Sequence, residues 1–289
     1  MDSMRDRFTT VTTALLNENE HIALVLADIG VGRFDGLGPE DRVFNVGIRE
    51  QLMVGFAAGL ALEGLRPIVH SYAPFLVERP FEQIKLDFGH QDVGGILVSI
   101  GGSFDAAGEG RTHQAPGDVA LISTLPGWDV HVPGHPDEVE EILLAEATGS
   151  GMVYIRLCDD SNREPHPGGP VVIRRGAEAT VIAVGPMLDP VLEAVEGLDV
   201  SVVYTATVRP FPGELVAEAI GDADLVLVEP YLEGTSAAEV ARSIDRLHRL
   251  LCIGVPAEEH RRYGTGADHV QAHGLDAVGI RVRIAEFLY

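Results

Sequence analysis

The chain has 289 residues, 46% of them hydrophobic, and a slightly positive mean hydropathy of +0.14; this suffices for two α/β domains and excludes a disordered polymer. A formal net charge of −23 opposes any phosphodiester backbone, so nucleic acid is not an expected partner, and the acidic surface chiefly serves solubility. Cys158 and Cys252 lie in apolar strand-like runs without a CxxC or Cys/His cluster, MDSMRDRFTT lacks an apolar signal core, and no apolar run is long enough to span a bilayer; a soluble cytoplasmic protein with reduced thiols, no zinc site and no membrane contact is expected.

Residues 5–17 read as an amphipathic helix, and IALVLADIG (22–30) as a buried strand that ends in a glycine turn. VFNVG (43–47) is a short strand, followed by a helix from Arg49 to Leu62 with Gly64 as its stop. PIVHSY (67–72) is strand-like, PFEQIKLDFG (80–89) helical and GGILVSIG (94–101) a buried strand. A glycine-rich loop over 101–118 leads to the helix DVALISTL, the strand DVHVP (129–133), the helix PDEVEEILLAEAT (136–148) and the strand MVYIRL (152–157). The stretch SNREPHPGGP (161–170) is polar and rich in Pro and Gly, as a linker is. Beyond it the strands EATVIAVG, VSVVYTA, LVLVEP and LLCIGVP alternate with helices over 189–196, 213–219, 236–249 and 275–288. Strands buried on both faces and separated by helices imply mostly parallel sheets with right-handed crossovers. The expected fold class is α/β, with two doubly wound domains, 1–163 and 175–289, joined by a linker over 164–174.

Three stretches carry the chemistry. FNVGIREQLMVGFAAGLALEG (44–64) places Glu50 in the first turn of an otherwise apolar helix, where the helix dipole alone would favour a carboxylate. The others are HSYAPFLVERPFEQIKLDF (70–88) and GEGRTHQAPGDVALISTLPGWDVHVPGHPDEVEEIL (108–143). In this order and spacing the three segments resemble the pyrimidine-binding domain of the transketolase and deoxyxylulose-phosphate synthase families, and residues 175–289 resemble the C-terminal domain of the same families.

The resemblance implies a thiamine-diphosphate enzyme. Glu50, in GIREQ, matches the Glu that hydrogen-bonds N1′ of the cofactor's aminopyrimidine, so that the cofactor's own imino group can take the thiazolium proton. Phe75, in YAPFL, matches the aromatic residue that stacks on that ring; a core Phe is the plain alternative. Asp28, in LADIG, matches an acid facing the thiazolium, with a turn cap as the alternative. His113, in RTHQ, matches the histidine that contacts substrate near the reacting carbons; His70, just upstream of Phe75, is a weaker candidate for the border of the cofactor site.

Departures concern the substrate. Arg5 matches one basic residue of a phosphate grip, but about Gly101 replaces a family histidine and Asp159 an arginine. The carboxylates of Asp159 and Asp160 would repel a phosphate dianion; Arg156 is the remaining substitute, unless it faces the other side of its strand. Glu109 replaces a shorter Asp that reads substrate hydroxyls, and Glu78 stands where relatives carry an aromatic residue or arginine. The expected substrate is a small molecule other than the usual phosphorylated sugars, unless a partner supplies the phosphate grip.

The chain carries no GDG and no Asn-containing metal segment, so ligands for Mg²⁺ and the diphosphate are expected on a separate N-terminal transketolase subunit, in an α2β2 assembly. The implied activity is that of a split transketolase moving a two-carbon ketol or related acyl unit. The alternatives are the β subunit of a 2-oxo-acid dehydrogenase, a deoxyxylulose-phosphate-type synthase, and a non-catalytic scaffold or regulatory module.

Overall fold

The computed structural model describes residues 2–167, 169–220, 224–244, 249–259 and 261–289. Its first sheet is built from β1 (Ile22–Leu26), β2 (Val43–Asn45), β3 (Arg66–Tyr72), β4 (Gly95–Ile100), β5 (Trp128–His131) and β6 (Met152–Arg156). The second contains β7 (Val171–Arg174), β8 (Ala179–Val184), β9 (Val200–Thr205), β11 (Asp224–Leu232) and β12 (Leu250–Val255). Strand β10 (Thr207–Arg209) follows β9 in sequence but joins the first sheet. The orders are β10-β5-β6-β4-β3-β1-β2 and β12-β11-β8-β9-β7. All pairings are parallel except β10 with β5 and β7 with β9. The fold is thus α/β with two mostly parallel sheets flanked by helices, as the apolar runs imply: IALVL, GILVSI and ATVIAV are buried at every position.

Register brings the strand ends of the first sheet together. Leu26 lies opposite His70 and Tyr72 opposite Ile100, so β1, β3 and β4 end side by side. The chain leaves β1 for β2 on one side and takes up β3 on the other. That reversal makes a crevice at the strands' carboxyl ends, the usual place for a ligand in an open sheet.

Helix Met4–Glu18 starts in a reciprocal Ser3–Asp6 capping box and packs on helix Pro136–Ala147, to which Arg7 bonds through Asp137 (2.7 Å) and Glu140 (2.6 Å). Several boundaries differ from the sequence expectation. The first strand stops at Leu26, not Gly30, because Asp28 turns the chain with φ of 64°. The segment read as one helix over 80–89 is a short α-turn (Phe81–Gln83) running into a π-turn (Ile84–His90). A further π-turn, Pro74–Glu78, precedes it. Helix 236–249 is seen as Ala237–Arg242, and 245–248 lie outside the described residues. A helix at Gly266–Ala272, missed from sequence, precedes Ala277–Leu288. The 161–170 stretch, of which 168 lies outside the described residues, is tied to both halves. Asn162 is buried, its N–H donating to the Gly134 carbonyl (2.7 Å) and its side-chain amide to that of Gly185 (3.0 Å).

Candidate active site

Glu50 opens helix Glu50–Leu62. The turn before it is held by Asn45, whose Oδ1 accepts from the N–H groups of Asp28 (2.9 Å) and Gly47 (3.1 Å); Gly47 itself needs φ of 71°, which glycine adopts without strain. The helix N-terminus favours a carboxylate here, yet only 4% of Glu50 is exposed, so the carboxylate also needs a partner. Arg79 supplies it, donating from Nη1 to Glu50 Oε1 at 2.8 Å.

The same guanidinium lies over the Phe75 ring, 3.9 Å from its centroid. Phe75 is placed by the π-turn that follows β3, where the wider winding carries Arg79 round onto the Phe75 face. His113 meets the edge of Phe75 with ring centroids 4.9 Å apart, and Tyr72 sits 6.0 Å from Phe75 and 5.7 Å from His113. His113 comes from the glycine-rich loop after β4, in the turn Arg111–His113, with Nδ1 3.0 Å from Thr112 Oγ1. Glu50, Phe75 and His113 therefore converge from three segments. Arg79 and Tyr72 join them and were not anticipated; the sole sequence signal was an arginine one helical turn after the aromatic residue.

Asp28 stands at the end of β1, exposed, with Oδ1 accepting from Asn45 Nδ2 at 3.0 Å. Glu109 is exposed on the turn Ala107–Glu109, and no hydrogen bond of its carboxylate occurs among the described residues. Arg5 is half-buried beside Tyr72. Burial and Arg33 lower its pKa, against the pull of Tyr72 and Asp159. His70 belongs to the core. It is fully buried 4.6 Å from the Phe8 ring, its Nδ1 pairs with the Val98 carbonyl at 2.9 Å, and burial pushes it down to about 3, so the ring is neutral.

Arg156 corrects the sequence expectation. It is 0% exposed and all three of its nitrogens are committed inside the protein. Nε donates to Asp118 Oδ2 (2.8 Å), Nη2 to Ser103 Oγ (2.6 Å) and Nη1 to Cys158 Sγ (3.0 Å). Tyr154, two residues earlier on the same face of β6, donates to the same Asp118 oxygen at 2.8 Å. Arg156 faces this network and is not free to grip a substrate anion. The glycines of the loop explain themselves here. A Cβ on Gly101 would lie 2.3 Å from the Tyr72 ring, and one on Gly102 would lie 2.7 Å from the Arg156 guanidinium.

Carboxylates gather nearby. The Asp159 N–H donates to Asp105 Oδ2 at 3.1 Å, and burial, reinforced by Asp159, pushes Asp105 up to about 8. The folded protein therefore holds a proton that the unfolded chain releases above its ordinary value of 3.8, so this contribution to stability is complete below that value and is lost as pH rises through about 8. Asp105→Asn is expected to flatten the fall of stability between acid and alkaline pH, with its benefit largest above pH 8. Urea midpoints measured across that range check this, and parallel curves for the two proteins would refute it.

Comparison with known proteins yields a consistent set. The family described as "Transketolase, pyrimidine binding domain" matches residues 2–163, and "Transketolase, C-terminal domain" matches 168–282. The chain is 48% identical to an uncharacterized 33.6 kDa protein of the fasciation locus of Rhodococcoides fascians, covering 97% of this chain and 93% of that one. It is 31% identical to the 1-deoxy-D-xylulose-5-phosphate synthase of Magnetococcus marinus, over 97% of this chain but 48% of that protein, so it spans about half of the synthase's length. A solved structure described as a split gene transketolase, inactive β4 tetramer, superposes with a TM-score of 0.83 at 27% identity, covering 99% of this chain and 98% of that one.

Proposed function

The chain belongs to the transketolase family, and we propose that it is the C-terminal subunit of a split, thiamine-diphosphate-dependent transferase that works with an N-terminal partner subunit. One observation carries this reading. A planar N–H donor, the Arg79 guanidinium, lies on the Phe75 ring while bonding to the buried Glu50 carboxylate. An aminopyrimidine needs the same two partners, an aromatic face and a buried carboxyl at its edge, so the residues present fit that group with Arg79 standing in for it.

Bound thiamine diphosphate supplies a nucleophilic carbon and an electron sink for a two-carbon ketol or acyl fragment taken from a ketose or 2-oxo acid. Glu50 shares a proton with the ring nitrogen, and its low exposure keeps competing water away. Phe75 fixes the ring plane, and Asp28, at the end of β1, adds negative potential to the crevice. His113, edge-on to Phe75, exchanges a proton with a substrate hydroxyl or carbonyl oxygen in this reading. Glu109 and Arg5 are the polar contacts for the rest of the substrate. Asp159, standing where relatives carry an arginine, supports an end group without a phosphate; transketolase-like rates with ordinary pentose phosphates would overturn that part. Release of CO₂ would identify a 2-oxo acid donor, the second reading that the likeness to the synthase favours.

The partner requirement rests on two features. Ile48 (70% exposed), Leu52 (50%) and Leu62 (57%) form an apolar outer surface on and beside the helix that carries Glu50, a sign of an interface. The chain spans about half the length of the synthase it matches, and Mg²⁺ and the diphosphate are assigned to a partner that supplies the other half, within an α2β2 assembly. The similar split-gene protein is an inactive tetramer of β chains alone.

Calorimetric titration of thiamine diphosphate with Mg²⁺ tests the proposal on this chain, on the partner and on their mixture. Tight binding confined to the mixture is expected; binding to the partner alone with unchanged affinity would refute a shared site. Arg79→Met removes the competing guanidinium. It is expected to tighten cofactor binding about 2- to 5-fold, the equivalent of the ~0.5–1 kcal/mol of a half-exposed ion pair. Weaker binding in that variant would make Arg79 a cofactor ligand instead.

A further inference from the structure

The two halves of the chain enclose a second cavity, of about 290 Å³, whose lining includes none of Glu50, Phe75 or His113. The loop after β4 gives Phe104 and Asp105, and the end of β6 gives Asp160. The second half closes it with Met187, Val270 and Leu275. Its size lies near the lower end of the roughly 300–1,000 Å³ of small-molecule sites. The walls are mainly apolar, and the charges they carry are unbalanced. Arg156 reaches the wall, but its nitrogens already serve Asp118, Ser103 and Cys158. Asp189 accepts from the Arg163 N–H at 2.8 Å, and the Arg163 guanidinium lies 3.6 Å from it. For Asp105 the hydrogen bond seen among the described residues is the single backbone donor at 3.1 Å from Asp159. Asp159 and Asp160 both raise its affinity for a proton, Arg156 opposes them, and Asp159 is itself attracted by Arg5. His269 and His273 stack on Phe104, and the Cys158 thiol is pushed up by burial.

We propose that this cavity binds a small organic ammonium compound, whose apolar body lies against Phe104, Met187 and Val270 while its charged nitrogen pairs with Asp105 and Asp160. A neutral apolar molecule would leave Asp160 without a counter-charge and Asp105 holding its proton, and a carboxylate or phosphate would add to the repulsion. A metal ion would gain little from the apolar walls, and no three-ligand group occurs among the described residues. An ammonium ion on an alkyl or arylalkyl body satisfies both kinds of wall at once. Near neutral pH its arrival displaces the proton held by Asp105, so binding and proton release are coupled.

The full chain, without cofactor or partner, is titrated calorimetrically with 3-phenylpropylamine, 3-phenylpropanol and 3-phenylpropionate at pH 7, in two buffers of different ionisation enthalpy. The amine is expected to bind at least ten times tighter than the alcohol, the carboxylate not at all, and amine binding to release a proton. Asp105→Asn should weaken the amine about tenfold, abolish proton release and leave the alcohol unchanged. Met187→Trp, which fills the cavity from its apolar side, should remove amine binding; it stands as the variant test if Asp105→Asn does not fold. Equal binding of amine and alcohol, no amine binding to the unaltered chain, or amine affinity unchanged by Met187→Trp would each overturn the proposal. Because no measurement uses the cofactor, these outcomes are separate from those that test the transferase reading.

Discussion

Replacing Glu50 with Gln is expected to lower kcat of the reconstituted complex by about 10²–10⁴-fold, the range lost when a positioned acid–base group is removed. The substitution keeps shape and hydrogen-bonding capacity and removes the carboxyl's exchangeable proton. Folding should change little. Glu50 is buried, but its partner Arg79 is 43% exposed at the side chain and regains water when the ion pair is lost, so the pair contributes at most ~1 kcal/mol. Steady-state rates, with cofactor affinity measured separately on the same complexes, distinguish a catalytic loss from a binding loss. Full activity in Glu50→Gln, with saturating cofactor and an intact complex, would make this chain a scaffold for chemistry done elsewhere.

Arg156→Met is expected to have the largest effect on stability, about 3–5 kcal/mol, the cost of leaving a buried charge without its partner. Asp118 is fully buried and, among the described residues, would keep only Tyr154 OH and the Val119 N–H, each at 2.8 Å. Arg156→Lys should rescue little, because one ammonium cannot occupy the three positions now held by Nε, Nη1 and Nη2. The double variant Arg156→Met, Asp118→Asn should recover part of the loss by removing the orphaned charge. Urea unfolding of the four proteins measures this. Equal midpoints for the wild type and Arg156→Met would overturn the prediction.

Much of the architecture was legible because its strands are buried on both faces. Runs such as IALVL and GILVSI cannot belong to a half-wet sheet. The two antiparallel edge strands, β7 and β10, were not legible, whereas the parallel edges β2 and β12 were. β10 has three residues and pairs antiparallel, so it carries no apolar run. Helix Gly266–Ala272 could have been found, since Thr265 and Asp268 form a capping box readable as T-x-x-D. In the site, motif order pointed to Glu50, Phe75 and His113, and these three meet in space. Arg79 was hidden because no helical turn was read over 74–78, so its spacing from Phe75 had no meaning until the π-turn was seen. Arg156 was misjudged for a related reason: alternation along β6 puts Arg156 and Tyr154 on one face but does not say which face meets Asp118. Asp105 was passed over, since one acid in a loop becomes notable only once folding brings Asp159 and a cavity wall beside it.

Strand β10 bears on how this protein could be recombined with its relatives. It leaves the second half to cover the outer edge of β5, with Thr207 opposite His131, Arg209 opposite Val130, and the Arg209 guanidinium donating to the Ser123 carbonyl at 2.7 Å. A crossover placed at 161–170 looks harmless in one dimension but separates β5 from the strand that shields it. A chimera made there inherits an edge from one parent and its cover from the other, and a poor match leaves unpaired backbone ready to join a neighbouring molecule. Shuffled libraries should therefore carry residues 123–132 and 205–210 as one inherited block.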